Sequence, residues 1–185
     1  MPMRLGIAHH LGWAVAVTAR AEGRVMDRRR IDLLEAGVPP APVEHEIQPL
    51  DNFAAATLVA TVRAAAVRAT SASLDQIVTA LPEPVVSISL RYWPPDFPDD
   101  IAVQRRPPHN ASADSVMYRQ VLAELAHARG WAVHLYDAEA VEGQAVRALG
   151  ATGVEVLHAP RARLGPPWGK DQRIALAAAI LAGHT

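Results

Sequence analysis

Cysteine is absent from the 185 residues. That excludes a disulfide framework, a thiolate-ligated zinc site and a cysteine nucleophile. Lysine is nearly absent: Lys170 stands alone against 17 arginines. Aromatic residues make up only 5% of the chain and charged residues 20%. The formal net charge is −1, so no whole-chain basic field draws the molecule to nucleic acid. Long apolar runs are missing too. Residues 174–182 (IALAAAILA) are apolar all round but far short of the ~20 residues a membrane span needs. The start, Met1-Pro2-Met3-Arg4, leads into Leu5 to Ala8 before His9-His10 interrupts it. A secretory signal needs an apolar stretch of about 7–15 residues, so the expectation is a cytoplasmic protein with no membrane role. Neither GxGxxG nor GxxxxGK[ST] occurs, and GxSxG is absent, so phosphate loops and a serine elbow have no direct support.

Half the residues are hydrophobic, which excludes wholesale disorder. The length suits one domain over residues 1–185 with a sizeable core. Leu5 to His10, Trp13 to Thr18 and Arg24 to Leu34 have strand character, with turns at Gly12 and Glu22-Gly23. They predict an antiparallel three-strand meander over 4–34, its charged third strand at an edge. The prolines of 37–49 predict a loop or extended linker. Asp51 or Asn52 caps a helix to about Ala69, and 71–81 is ambiguous. Val85 to Leu90 fits a central strand, and 91–111 is a long irregular stretch. Ser112 caps a helix ending at Gly130, Trp131 to Tyr136 is a strand, and Asp137 caps a helix through Leu149. Val154 to His158 reads as a further short strand, Pro160 to Gly169 as a basic loop, and Lys170 to Ala182 as the last helix. A meander followed by alternating α and β predicts an α/β fold, a mixed sheet with helices on both faces.

The opening Leu5-Gly6-Ile7-Ala8-His9-His10-Leu11-Gly12-Trp13-Ala14-Val15 resembles the first hairpin of the ribonuclease H-like superfamily. It is most similar to the RuvC-type resolvases, which open with Gly-Ile-Asp-x-Gly. The element order matches theirs over most of the chain; the sequence likeness covers about a dozen residues. The resemblance implies a ribonuclease H-like mixed sheet. It also implies carboxylates that hold two divalent metals, activating water and stabilising the leaving oxygen. Here the chain departs from the pattern. The first carboxylate position is Ala8. The strand that should end in the second reads Ser89-Leu90-Arg91. For the final helix, Asp171 is the only candidate, and Lys170-Asp171-Gln172-Arg173 equally resembles the start of an earlier helix in those resolvases. The usual two-metal mechanism is therefore expected to be lost.

The remaining candidates each carry two readings. His9 and His10 alternate across a strand; they are metal ligands or general bases, or polar strand ends bonded to backbone. Asp137 ends a strand, where ligands gather in open α/β sheets, but also suits a helix cap. Arg91, Tyr92, Trp93, Arg105 and Arg106 mix cations and aromatics, as a base-stacking, phosphate-holding surface does, or as a solvated loop plugging the domain does. Arg28 to Arg30, Arg161 and Arg163 can extend that surface. Two functions follow. The leading one is a degenerate, non-catalytic protein, without cofactor, that binds a protein or nucleic-acid partner. An Ala-rich helix such as 53–69 would also allow a homodimer. The alternative is a metal-dependent nuclease or phosphodiesterase, with His10, Asp137 and Asp171 as catalytic groups and His9, His10 and Asp171 as ligands of a divalent metal.

Overall fold

Three strands with alternating side-chain directions open the chain: β1 (Met3–His9), β2 (Trp13–Ala19) and β3 (Val25–Asp32). They pair antiparallel, with Ile7 opposite Ala16 and Val17 opposite Arg28. Two further strands, β4 (Val85–Arg91) and β5 (Ala132–Tyr136), add parallel to β1, in the order β3-β2-β1-β4-β5. The computed structural model describes residues 2–184. Its mixed five-strand sheet, with helices on both faces, is the α/β architecture that the element order predicts. The outer strand β3 carries Arg28, Arg29 and Arg30, charges that deter pairing at the open edge.

The pleat of β1 decides what each face holds. Leu5 and Ile7 point to one side, where they meet Ile88 and Leu90 and two long helices. These are α1 (Asn52–Ala80), giving Val62, Leu74 and Ile77, and α3 (Ala113–Ala128), giving Tyr118 and Leu122. Burying each such leucine or isoleucine contributes roughly 1.5–3 kcal/mol. Gly6 and Ala8 point to the other side, against α7 (Lys170–Leu181). Ile174 to Ile180 are all buried, because α4 (Val141–Leu149) and α5 (Gly153–His158) cover the side of α7 away from the sheet. That is the physical meaning of an all-apolar run too short for a membrane.

Several expected elements differ. α1 does not stop near Ala69 but runs unbroken to Ala80. Thr70, Ser73, Leu74 and Ile77 keep the helical spacing. The two polar members bond across to the end of β3 and the residue after it, Ser73 Oγ donating to Asp32 O at 2.7 Å and Thr70 Oγ1 to Leu33 O. By length and composition α1 could cross a membrane. Here Val62, Ala65, Ala66, Leu74 and Ile77 lie in the core, while Phe53 is 84% exposed. The expected strand at 154–158 is the helix α5. Gly150 turns the chain back at φ +66°, and Gly153 packs so closely on α4 that an added Cβ would lie 2.5 Å from Val146 O. Leu157 is then buried against α7, while Val154 is exposed. The expected basic loop begins as a short helix, α6 (Pro160–Leu164), and the long loop contains another, α2 (Ile101–Gln104).

Capping also departs from expectation. Asp51 does cap α1, accepting from Ala54 N at 2.8 Å. Ser112 does not cap α3; its hydroxyl donates to His109 O. Within the proline-rich segment, Pro42 to Glu46 form one wide helical turn. The buried Asp114 carboxylate holds it, accepting from Val43 N and Glu44 N at 3.0 Å each.

Candidate functional site

β1, β4 and β5 run in the same direction, so their carboxyl ends open on one edge of the sheet, where ligands of open α/β sheets gather. α7 begins at the same edge. Gly169 N donates to Gln172 Oε1 at 2.8 Å, which closes the first turn of that helix and fixes Lys170 and Asp171 there. A cavity of about 310 Å³ results, with Ala8, His9, His10, Arg91, Tyr136, Glu139, Lys170 and Asp171 on its walls.

His10 and Asp171, 161 residues apart, meet in it: His10 Nε2 lies 2.9 Å from Asp171 Oδ2. The imidazole stacks on Trp13 at 4.1 Å between centroids and 11° between planes, and the Arg30 guanidinium lies 4.3 Å from the Trp13 centroid. Both partners in this contact are substantially exposed, so it adds little to stability and mainly orients the ring.

His9 points the other way. It has a backbone hydrogen bond to Ser115 of α3. Burial, then the charges of Arg119, Arg91 and His10, pull it down to about 3, so the ring is neutral across the physiological range. Tyr136 donates its hydroxyl to Ile7 O at 2.7 Å, and burial pushes the phenol well above its ordinary value. It ties β5 to β1 as a donor and does not serve as a base.

Asp137 borders this cavity without facing it. Its carboxylate accepts from Glu139 N at 2.8 Å, forming a turn ahead of α4 rather than capping that helix. Sequence reasoning missed Glu139, which does face the cavity; its position just beyond a parallel strand's carboxyl end was the available signal. His10 and Asp171 therefore come together without Asp137, and His9 turns to the opposite face. Among the described residues no three His, Asp or Glu side chains gather to hold a metal ion. The two-metal carboxylate set that the fold resemblance implies does not fit strands that present Ala8, one residue before the end of β1, and Arg91 at the end of β4.

The expected aromatic and arginine surface is divided. Arg91 and Tyr92 stand exposed beside the cavity, but Trp93 packs against the core. Arg105 lies elsewhere, donating to Ile47 O at 2.7 Å, Gln48 O at 3.1 Å, Leu50 O at 2.9 Å and Asn52 Oδ1 at 3.0 Å. It fastens the turn before α1. Arg106 is exposed in the same segment as Arg105. Arg28 is used in the same way as Arg105, donating to the carbonyls of Leu164, Gly165, Pro166 and Pro167. Arg105→Ala is accordingly expected to lower stability by about 2 kcal/mol in urea unfolding, since several bonds from one charged group are lost. An unchanged urea midpoint would show that the segment holds without it.

The fold is of the ribonuclease H-like, RuvC type, and the cavity lies at the carboxyl ends of its parallel strands. Two solved structures carry that conclusion. Thermus thermophilus RuvC bound to a Holliday junction substrate is 13% identical, covers 100% of this chain and 94% of its own, and superposes with a TM-score of 0.54. A second Thermus thermophilus RuvC structure is 16% identical over 98% of this chain and 94% of its own, with a TM-score of 0.51. At such identities the likeness is one of fold. No family model matches the chain, and no curated protein matches it.

Proposed function

We propose that this chain is a ribonuclease H-like protein that has given up two-metal phosphodiester cleavage and binds a nucleic-acid partner at the strand ends. The observation that carries the reading is the pair Ala8, one residue before the end of β1, and Arg91, at the end of β4. Ala8 offers no ligand, and Arg91 places a cation where the resemblance puts an acid. A guanidinium there repels a metal ion and attracts a phosphate. Tyr92, 54% exposed beside Arg91, offers a ring on which a base can stack. The similarity to a RuvC structure solved with a DNA junction supports the same partner class.

The test is retention of labelled single- and double-stranded DNA and RNA at low salt with a chelator present. Binding is expected without metal, weakening steeply as salt rises, and weakening about tenfold in Tyr92→Ala through lost stacking. No cleavage is expected on adding Mg²⁺ or Mn²⁺. If none of the nucleic acids is retained at low salt, this reading falls and a protein partner takes its place. The alternative, a rebuilt metal-dependent nuclease or phosphodiesterase, draws on the His10–Asp171 contact. It requires a rise in melting temperature with Mg²⁺, Mn²⁺, Zn²⁺ or Ni²⁺ that vanishes in His10→Ala and in Asp171→Ala.

A further inference from the structure

The sheet has two outer strands, and they are built differently. β3 carries Asp27, Arg28, Arg29, Arg30 and Asp32, and Arg163 reaches across to donate to Val25 O. The other outer strand, β5, reads Ala132-Val133-His134-Leu135-Tyr136, without lysine, arginine, carboxylate or proline. Charges and prolines are what normally keep a strand edge from pairing with another chain.

Tyr92 N donates to Tyr136 O at 2.8 Å, which fixes the alternation of the parallel ladder. Ala132, His134 and Tyr136 turn their N–H and C=O groups toward β4. Val133 and Leu135 turn theirs outward, and among the described residues no hydrogen bond takes them up. Cavities flank this edge. On the α7 face one of about 290 Å³ is walled by Ser89, His134, Gln144, Leu181 and Ala182. At the carboxyl end of β5 another, of about 400 Å³, lies beside Tyr92, Leu135 and Ala138. Val133 packs on the core beside α3, and Leu135, two residues on and so on the same face, is 47% exposed.

An added strand sends alternate side chains to opposite faces, so it reaches the α7-face cavity and the Leu135 surface together. The β5 of a second copy fits poorly. Its Tyr136 hydroxyl is held by Ile7 O and its Val133 by the core, so it has few side chains to spare for these cavities. A segment with no fold of its own has all of them free.

We infer that β5 is a docking edge for an extended segment of a partner protein, which adds to the sheet as a sixth strand. The segment answers the N–H and C=O groups of Val133 and Leu135, so it has no proline at the bonded positions. It sets an apolar side chain against Leu135 and Tyr92 and an uncharged one into the α7-face cavity. The inference goes beyond the nucleic-acid reading and does not rest on it.

The probe is a set of octapeptides selected from a random displayed library on the native full chain. Their consensus should alternate with period two. N-methylation at alternate peptide bonds should weaken binding at least about tenfold, and at the intervening bonds much less. Bound peptide should slow hydrogen exchange at the Val133 and Leu135 amides. Leu135→Pro removes an outward donor and leaves the ladder to β4 alone, so it should weaken binding at least about tenfold; Leu135→Thr keeps the donor and should weaken it only a few-fold. Urea unfolding checks that both variants fold. The N-methyl scan and the exchange pattern use the native protein, so they decide the matter even if Leu135→Pro does not fold. If no peptide is selected, or if selected peptides leave the two amides exchanging as before, the docking edge is overturned. It is overturned too if N-methylation at every position is equally tolerated. If the two amides become protected with rising protein concentration alone, the edge belongs to a second copy and the inference falls.

Discussion

Gly6→Ala is expected to be among the most damaging single substitutions in this protein. A Cβ at that position would lie 1.8 Å from Ala175 O and 2.7 Å from Ala175 C. Those are backbone atoms of α7, so no side chain can swing aside. β1 cannot yield either, being paired to β2 on one side and β4 on the other, and α7 is buried from Ile174 to Ile180. The expected cost is about 3 kcal/mol, the upper part of the range for overpacked cores, or ~10 °C in melting temperature at this chain length. The effect should reach the site, because the helix that is pushed away carries Lys170 and Asp171. Gly143→Ala is the control. It lies within α4 with only Arg147 Nη1 near, at 3.5 Å, and should be stabilising by up to about 1 kcal/mol. Equal melting temperatures for the two variants would show that α7 does not sit on β1 as closely as described.

The second large effect concerns acid. In the unfolded chain His9 takes a proton near 6.5; in the folded protein it does so only near 3. Its folded value is depressed, so its full contribution is present above 6.5 and is lost as pH falls toward 3. Within that window the unfolded state binds a proton that the folded state refuses, at about 1.4 kcal/mol per pH unit. At pH 5 the loss is about 2 kcal/mol. Burial is the main cause, with Arg119 from α3, Arg91 from β4 and the neighbouring His10 adding to it. Urea unfolding of the native protein and of His9→Gln at pH 7.5 and pH 5 measures this. The native protein should lose stability between the two pH values, and His9→Gln should lose about 2 kcal/mol less. If both fall equally, His9 is not the group that titrates.

Much of the fold was legible because local rules and tertiary demands agree. β1 and β2 are short, apolar and separated by Gly12; the edge strand shows its charges; α3 and α7 carry helical spacing or uniform apolarity. The failures are places where a non-local partner overrides local character. Val154 and Val156 favour strands, yet Gly153 brings the segment onto α4, where a helix buries Leu157. Thr70 and Ser73 look like the end of a helix until their hydroxyls find the carbonyls of Leu33 and Asp32.

The site divides along the same line. The parts list is legible from local pattern: no cysteine, Ala8 near the end of one strand and Arg91 at the end of another, Asp171 and the only lysine at the head of the last helix, and a strand pattern that admits few topologies. Which of these residues meet follows from the packed chain. It joins His10 to Asp171 across 161 positions, turns Asp137 aside to Glu139 N, and assigns Arg105 and Arg28 to backbone carbonyls. The reason is physical. Helix and strand tendencies are set by neighbours a few positions apart, whereas the environment of a charge is set by whatever the packed chain brings within about 4–6 Å of it.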